Sequence, residues 1–357
     1  MRFGAVVGND PTTIGCEARL LEERGVDTIW FPDAPLIGYG DPFACMALAA
    51  AATDRIRLGT NITPAGTRPV GMLLTHFATI NRIAPGRVRL GWGSGSFSRS
   101  LLGQPALKVR ELRTELTALR ALLTHQSAEI NGQKIHFNTS GRRCLNLKDS
   151  QPLEIAAQGP RGAALAGEFG DGLMTAGEVH PERLRILLNA ALEAAGSAGR
   201  PTEDFSFTAE VGPLCILRPG ESVDSQRVIA SVQPAVTGHF GFFLVARLHP
   251  DQVDPGVRGA YAKFLVWANE CFGPDPDEQF RALCDNYIGR NPEHDQFVTA
   301  GAIKAHTLTA PLEAMAERLQ EISRAGVTDV AVLYGLDQPW AENEALADLV
   351  TLMEHVG

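Results

Sequence analysis

The sequence predicts an α/β protein folded as a closed (β/α)₈ barrel. Eight short apolar segments alternate with amphipathic or Ala-rich segments along one chain of 357 residues. Alternation of this kind builds a parallel sheet, and eight repeats suit a closed one. Small, polar or Gly-rich turns follow five successive strands, which places them together on one rim. The rival is an open doubly wound sheet. Its opening fingerprint is missing, because Gly4 and Gly8 do not form GxGxxG after the first strand.

Taken in order, Phe3 to Val7 is the first strand, and Thr12 to Arg24 a helix that stops at Gly25. Thr28 to Phe31 is a strand and Pro42 to Ala52 an Ala-rich helix. Ile56 to Ile62 is a strand, and the helix Pro69 to Ile83 is halted by Pro85-Gly86. Val88 to Trp92 is a strand, followed by an amphipathic helix from Val109 to His125. Leu153 to Ala157 is a strand, Arg161 to Phe169 a helix, and Leu173 to Thr175 a strand. His180 to Ala195 is helical and Phe205 to Leu217 extended. The chain closes with a helix from Pro311 to Arg324, a strand from Val327 to Tyr334 and a helix from Ala341 to His355.

Two segments interrupt the alternation. Ser127 to Phe137 carries Asn131-Gly132 between two short β-like pieces, which predicts a hairpin. Residues 218–304 are more than a βα loop needs. They hold helix-like pieces at Ser222 to Val232 and Gly259 to Phe272, and the apolar run HFGFFLVARL. The expectation is a single barrel over residues 1–357, with 218–304 inserted at one end to cover a site or join a homodimer interface. The aromatic run reads as core or interface.

Composition narrows the function. The chain is 45% hydrophobic and 20% charged, the profile of a globular protein. A net charge of −9 argues against nucleic acid or an anionic membrane as the main partner. No run approaches the roughly 18 apolar residues of a membrane span. The start, MRFGAVVGNDP, lacks the features of a signal peptide, so a cytoplasmic protein is expected. Six scattered cysteines without CxxC read as reduced thiols. Nine scattered histidines without HExxH give no metal site.

The segment PLEIAAQGPRGAALAGEFGDGLMTAG carries the most chemistry. It reads strand, Gly159-Pro160 turn, helix, strand, then Ala176-Gly177. Pro160 suits the first helical turn, where its missing N–H is no loss. Glycine between a strand and a helix offers free amides to an anion, and the helix dipole adds attraction. Two such turns point to a phosphate, although ordinary βα turns look the same. The other strand ends contribute Asp33 between prolines, Asn61-Ile62-Thr63, Arg68, and Gly93-Ser94-Gly95-Ser96 with Arg99 beyond. Gln158 and Thr175 end the next two strands. Asp33 is either a carboxylate aimed at a ligand or an Asx-turn residue. Ser94 and Ser96 either hydrogen-bond a ligand or fill a flexible turn. Arg68 is either an anion ligand or a solvated residue. Cys45, on the Ala-rich helix, reads as core.

The stretches GVDTIWFPDAPLIGYGDPFACMALAAAATDRIRLGTNITPAGTRP, IAPGRVRLGWGSGS and IAAQGPRGAALAGEFGDGLMTAG resemble the bacterial luciferase-like superfamily. Within it, the chain looks most like the branch that uses coenzyme F420, a deazaflavin, including methylenetetrahydromethanopterin reductases. The resemblance covers residues 1 to about 217 and resumes at 309–335. It implies a TIM barrel with a flavin-like ring at the strand C-termini, resting on a bulge with a non-prolyl cis peptide at Asn61-Ile62. It implies that Gln158-Gly159 and Ala176-Gly177 hold a phosphate and that Asp33 lies near the ring. Many relatives have His after that Asp, where this chain has Ala34, and Ser96 stands where sugar-phosphate dehydrogenases carry Glu. The family's Arg-His-Pro is reduced to Arg68-Pro69. The departures disfavour sugar-phosphate oxidation. The function expected is hydride transfer between coenzyme F420 and a small substrate bearing an imine, enone or other activated double bond. Asp33 and Ser96 are then the candidate catalytic residues. An FMN-dependent monooxygenase and a non-catalytic flavin-binding relative are the alternatives.

Overall fold

A computed structural model describes residues 1–124, 126–130, 132–138, 144–177, 180–284, 289–333 and 344–356. The turn residues Asn131 and Glu178, the helix end His125, the strand end Tyr334 and the helix start 341–343 lie outside the described residues. In chain order the strands are Arg2–Val6 (β1), Thr28–Phe31 (β2), Arg57–Thr60 (β3), Thr63–Pro64 (β4) and Val88–Gly93 (β5). Ala128–Ile130 (β6) and Gln133–Ile135 (β7) form the expected antiparallel hairpin. Then come Leu153–Ala156 (β8), Gly172–Ala176 (β9), Ser206–Ile216 (β10), Leu308–Ala310 (β11) and Asp329–Leu333 (β12).

The sheet runs β12-β1-β2-β3-β5-β8-β9-β10, and β10 pairs with both β9 and β12, so it closes. Every pair in it is parallel. This is the eight-stranded barrel read from the sequence. The segment expected as one strand from Ile56 to Ile62 is split into β3 and β4. The Asn61-Ile62 peptide between them is cis, as the resemblance implied.

The outer helices are Ile14–Glu23 (α1), Pro42–Ala52 (α2), Val70–Ile83 (α3), Ser96–Leu101 (α4), Val109–Leu123 (α5), Pro160–Phe169 (α6) and Pro181–Ser197 (α7). Asp41 caps α2 by accepting from the Phe43 and Ala44 amides. Gln226–Val245 (α8), Pro255–Phe272 (α9), Pro276–Cys284 (α10) and Ala300–His306 (α11) follow β10, and Leu312–Arg324 (α12) and Glu344–Val356 (α13) complete the ring.

The helix α8 departs from the sequence reading. It starts at the Ser225 cap, runs through Pro234 and absorbs most of the apolar run. An internal proline costs roughly 3 kcal/mol in a helix. Packing outweighs that here: Val228, Val232, Val236 and Phe240, at four-residue spacing, are all buried. They join Tyr261 and Phe264 of α9 in a second core that also takes Ile37 and Phe97. Because Ile37 follows β2 and Phe97 lies just past β5, this core sits over the C-terminal end of the barrel. The helix α8 also passes the length and hydropathy test for a membrane span, at mean hydropathy 1.5, which the sequence reading had not seen. More than half of that stretch is buried inside the protein, as a core helix would be.

The barrel interior is layered. At the N-terminal end, Arg89 bonds Glu154 at 2.6 Å and Asp329 at 2.8 Å, and Arg2 reaches Asp329 at 2.6 Å. Burial alone would raise the Asp329 carboxyl, but Arg2 and Arg89 outweigh it and hold it down at about 2. Above this layer lies the Trp30 ring, with the Arg89 guanidinium 4.7 Å from its centroid. A Cβ on Gly4 would come within 2.4 Å of Trp30, and one on Gly59 within 2.3 Å. Those two glycines leave the space the indole fills. Val6, Met174 and Ala331 complete this middle layer.

Candidate active site

The uppermost layer is the C-terminal mouth. Ile62, Ala156 and Leu333 pack on the Trp30 layer but stay only partly buried. They form an apolar floor that no described residue fully covers. Gly93 keeps it low, since a Cβ there would lie 2.7 Å from Ile62 Cδ1. Above the floor, the Asn61 side-chain amide donates to Glu210 Oε2. Four strand positions separate β3 from β10 in either direction, so this bond crosses the full mouth. Glu210 lies deep in the mouth with part of its surface open to it. Burial pushes its carboxyl above the usual glutamate range, and the Asn61 bond offsets part of that.

Asp33, just past β2, is 4% exposed. Its Oδ2 pairs with Arg68 Nη1 at 2.5 Å, while Ser98 Oγ donates to its main-chain oxygen at 2.9 Å. Burial pushes the Asp33 carboxyl up, and the Arg68 guanidinium opposes the rise. The buried Thr63 hydroxyl lies close enough to favour the Asp33 anion but makes no hydrogen bond of good geometry. Arg68 reaches Asp41 at 3.4 Å and lies 4.9 Å from the Phe43 centroid. It is therefore neither the free anion ligand nor the solvated residue weighed from sequence. Arg99 is 7% exposed and donates to Pro105 O and Ala65 O, which makes it a loop clamp.

On the opposite rim, Gln158 Nε2 donates to Ala176 O at 3.0 Å and its Oε1 accepts from Thr175 Oγ1 at 3.3 Å. The Gln158 side chain thus ties the ends of β8 and β9. Gly159 caps α6 in extended backbone, with open space where a side chain would stand. Pro160 follows at the first helical position. Gly177 has φ +68°, and its N–H donates to Glu210 O at 3.0 Å. That amide is engaged by β10, so the free N–H expected at Gly177 is taken.

The Gly93 to Ser96 turn divides in its roles. Gly95 has φ +64°, and a Cβ there would lie 2.3 Å from Pro64, so the turn packs on β4. Ser94 is half-buried and Ser96 exposed. It is Ser98, not Ser96, that reaches Asp33. The structure thus brings Asp33, Asn61, Ile62, Thr63, Gln158 and Thr175 to one mouth. Sequence reasoning missed Glu210, although a lone acid inside the apolar run of β10 was a usable signal.

The family model for luciferase-like monooxygenase matches residues 5–329. The chain belongs to this family. It is 31% identical over 310 residues to an F420-dependent glucose-6-phosphate dehydrogenase of Rhodococcus erythropolis, covering 78% of this chain and 87% of that one. It is 28% identical over 216 residues to a 5,10-methylenetetrahydromethanopterin reductase of Methanolobus tindarius, covering 58% of this chain and 64% of the reductase. The chain spans only 61 to 64% of the length of the first relatives it matches. The coenzyme F420 dependent tetrahydromethanopterin reductase from Methanopyrus kandleri superposes with TM-score 0.70 at 19% identity, over 100% of this chain and 99% of that one. At that identity the likeness speaks to the fold.

Proposed function

We propose that this member of the luciferase-like family is an oxidoreductase that uses coenzyme F420 and a small organic substrate. The observation that carries this reading is the partly open apolar floor of Ile62, Ala156 and Leu333. A flat ring system would cover that floor and be met by polar groups at its edge: Asp33, Asn61, Gln158, Thr175 and Glu210. The underused Thr63 hydroxyl adds one more polar contact beside Asp33. These residues fit a deazaflavin. Named F420-dependent relatives support the choice of cofactor.

When bound, the deazaflavin supplies two-electron hydride chemistry. The chain's own part is to bind and orient. Ile62 would underlie the ring, with Gly93 keeping the floor low and Asn61, Thr63, Ser94 and Gly95 alongside. Gln158, Gly159 and Pro160 would hold the phosphate-bearing end at the α6 N-terminus, with Thr175 and Ala176 at the neighbouring strand end. Asp33, its carboxyl balanced between burial and Arg68, holds or moves a proton at the edge of the mouth. Residues 218–304 act as an insertion that excludes water from above, within one barrel over 1–357. We infer a cytoplasmic homodimer with no nucleic acid or membrane partner.

A second reading, an FMN-dependent monooxygenase, has the family description and some neighbours behind it. One such neighbour is a 3,6-diketocamphane monooxygenase component in complex with FMN, at TM-score 0.60 and 14% identity. Titration with F420 and with FMN, anaerobic assays of oxidised F420 with alcohols and of reduced F420 with ketones, imines and enones, and an aerobic assay of oxygen use with reduced FMN separate the readings. Tight F420 binding with turnover supports the proposal. Rapid oxygen use with reduced FMN supports the monooxygenase. Tight binding with no turnover across the panel leaves a non-catalytic relative.

A further inference from the structure

The helix α8 carries a second stripe, opposite in character to its buried one. Ala235, His239 and Phe242 recur at four- and three-residue spacing, so they share a face. That face meets both sides of the barrel mouth. Phe242 packs on Phe97 of α4 with centroids 5.0 Å apart. His239 Nε2 would lie 2.8 Å from a Cβ on Gly177, past the end of β9. The stripe therefore spans the mouth from the strand-five side to the β9 side. Phe242 is 38% exposed and His239 half-buried, in contrast to the buried Val228, Val232, Val236 and Phe240 of the other stripe.

The imidazole geometry is defined. His239 Nδ1 lies 2.8 Å from Ala235 O, so it carries the proton and donates. The Nε2 lone pair is left as an acceptor, with no hydrogen bond among the described residues. The ring stacks on His306 at 4.1 Å and 17°, which fixes its plane. Burial lowers the pKa of both rings, His306 to about 2, so both are neutral near pH 7. A neutral acceptor beside an open phenyl ring selects for a ligand with a donor and an apolar body. Arg68 and Arg99 do not compete for the ligand, being committed to Asp33 and to loop carbonyls.

We propose that Phe97, Phe242 and His239 form the substrate subsite, which takes a small neutral molecule with an apolar body and one hydroxyl or N–H donor, the donor landing on His239 Nε2. This rests on the mouth being the reaction site. It goes further by assigning an acceptor on the insertion, where Ala34 leaves none beside Asp33.

The test uses the full chain, with and without F420. Cyclohexanol and methoxycyclohexane serve as probes, being similar in body and differing in the donor. Nitrogen NMR of the histidine rings reports on Nε2, and glucose 6-phosphate is the charged control. Cyclohexanol is expected to shift the His239 Nε2 resonance and to bind about tenfold more tightly than the ether. His239→Phe, which keeps an aromatic ring against His306, is expected to abolish that preference. His239→Gln, which keeps an acceptor, is expected to restore part of it. Phe242→Ala is expected to weaken both probes alike. Equal binding of the two probes, no shift at His239 in either condition, or preferential binding of glucose 6-phosphate overturns the subsite. Failure of F420 to bind while cyclohexanol still shifts His239 overturns the cofactor reading and leaves the subsite standing.

Discussion

Asn61 and Glu210 join opposite walls of the barrel, the Asn61 amide donating to the Glu210 carboxyl across the mouth. Burial pushes that carboxyl above its ordinary value of 4.5. A raised acid favours its neutral form in the folded state. Its stabilising contribution is therefore complete below the ordinary value and is lost as pH rises through the raised one. Glu210→Gln keeps an acceptor for Asn61 and cannot ionise. Denaturant unfolding of both proteins across pH 4 to 9 checks this. The variant is expected to gain on the wild type as pH rises, and parallel profiles would contradict the raised carboxyl.

At Asp33, burial and Arg68 act in opposite directions. Arg68→Met removes the opposing charge and leaves burial unbalanced. The inflection that Asp33 imposes on the pH profile of F420 binding is expected to move to higher pH, and Asp33→Asn is expected to abolish it. Fluorescence titration of F420 over a pH series reads both. An unmoved inflection would show that Arg68 does not tune Asp33.

Gly159 and Gly59 separate binding from folding. Gly159 has extended backbone and open space around it, so Gly159→Val is expected to fold with stability within about 0.5 kcal/mol of the wild type. Its F420 affinity is expected to fall about tenfold, or ~1.4 kcal/mol, through blocked approach to the α6 N-terminus. Unchanged affinity would move the phosphate elsewhere.

A Cβ at Gly59 runs into the Trp30 ring at 2.3 Å. Gly59→Ala is expected to lose roughly 1–3 kcal/mol of stability, the usual range for overpacking. Urea unfolding measures it, and an unaffected midpoint would mean the indole can shift freely.

The barrel was legible because strand and helix periods leave local marks. All eight barrel strands lie where apolar runs and their Gly or Pro stops put them, to within a few residues. The helix α8 was read short, because Pro234 is a local stop signal and the packing that overrides it comes from α9. Asp33, Gln158 and Thr175 could be picked out because each lies at or just past the end of a strand. Their partners could not. The Asp33–Arg68 pair joins residues 35 apart, and Asn61–Glu210 joins residues 149 apart. No local pattern encodes such pairings; only closure of the barrel produces them. Glycine marked both turns of the 152–177 segment, but not that the Gly177 amide would be taken by β10.

The mouth over Ile62 is proposed to bind the deazaflavin ring. Crystals of this protein soaked with oxidised F420 test it most directly. Density is expected for a flat tricycle lying on Ile62, with Asp33 at one edge, Gln158 at the other and the phosphate at the N-terminus of α6. A ring bound elsewhere on the protein, or a mouth that stays empty when solution titration shows saturation, would contradict it.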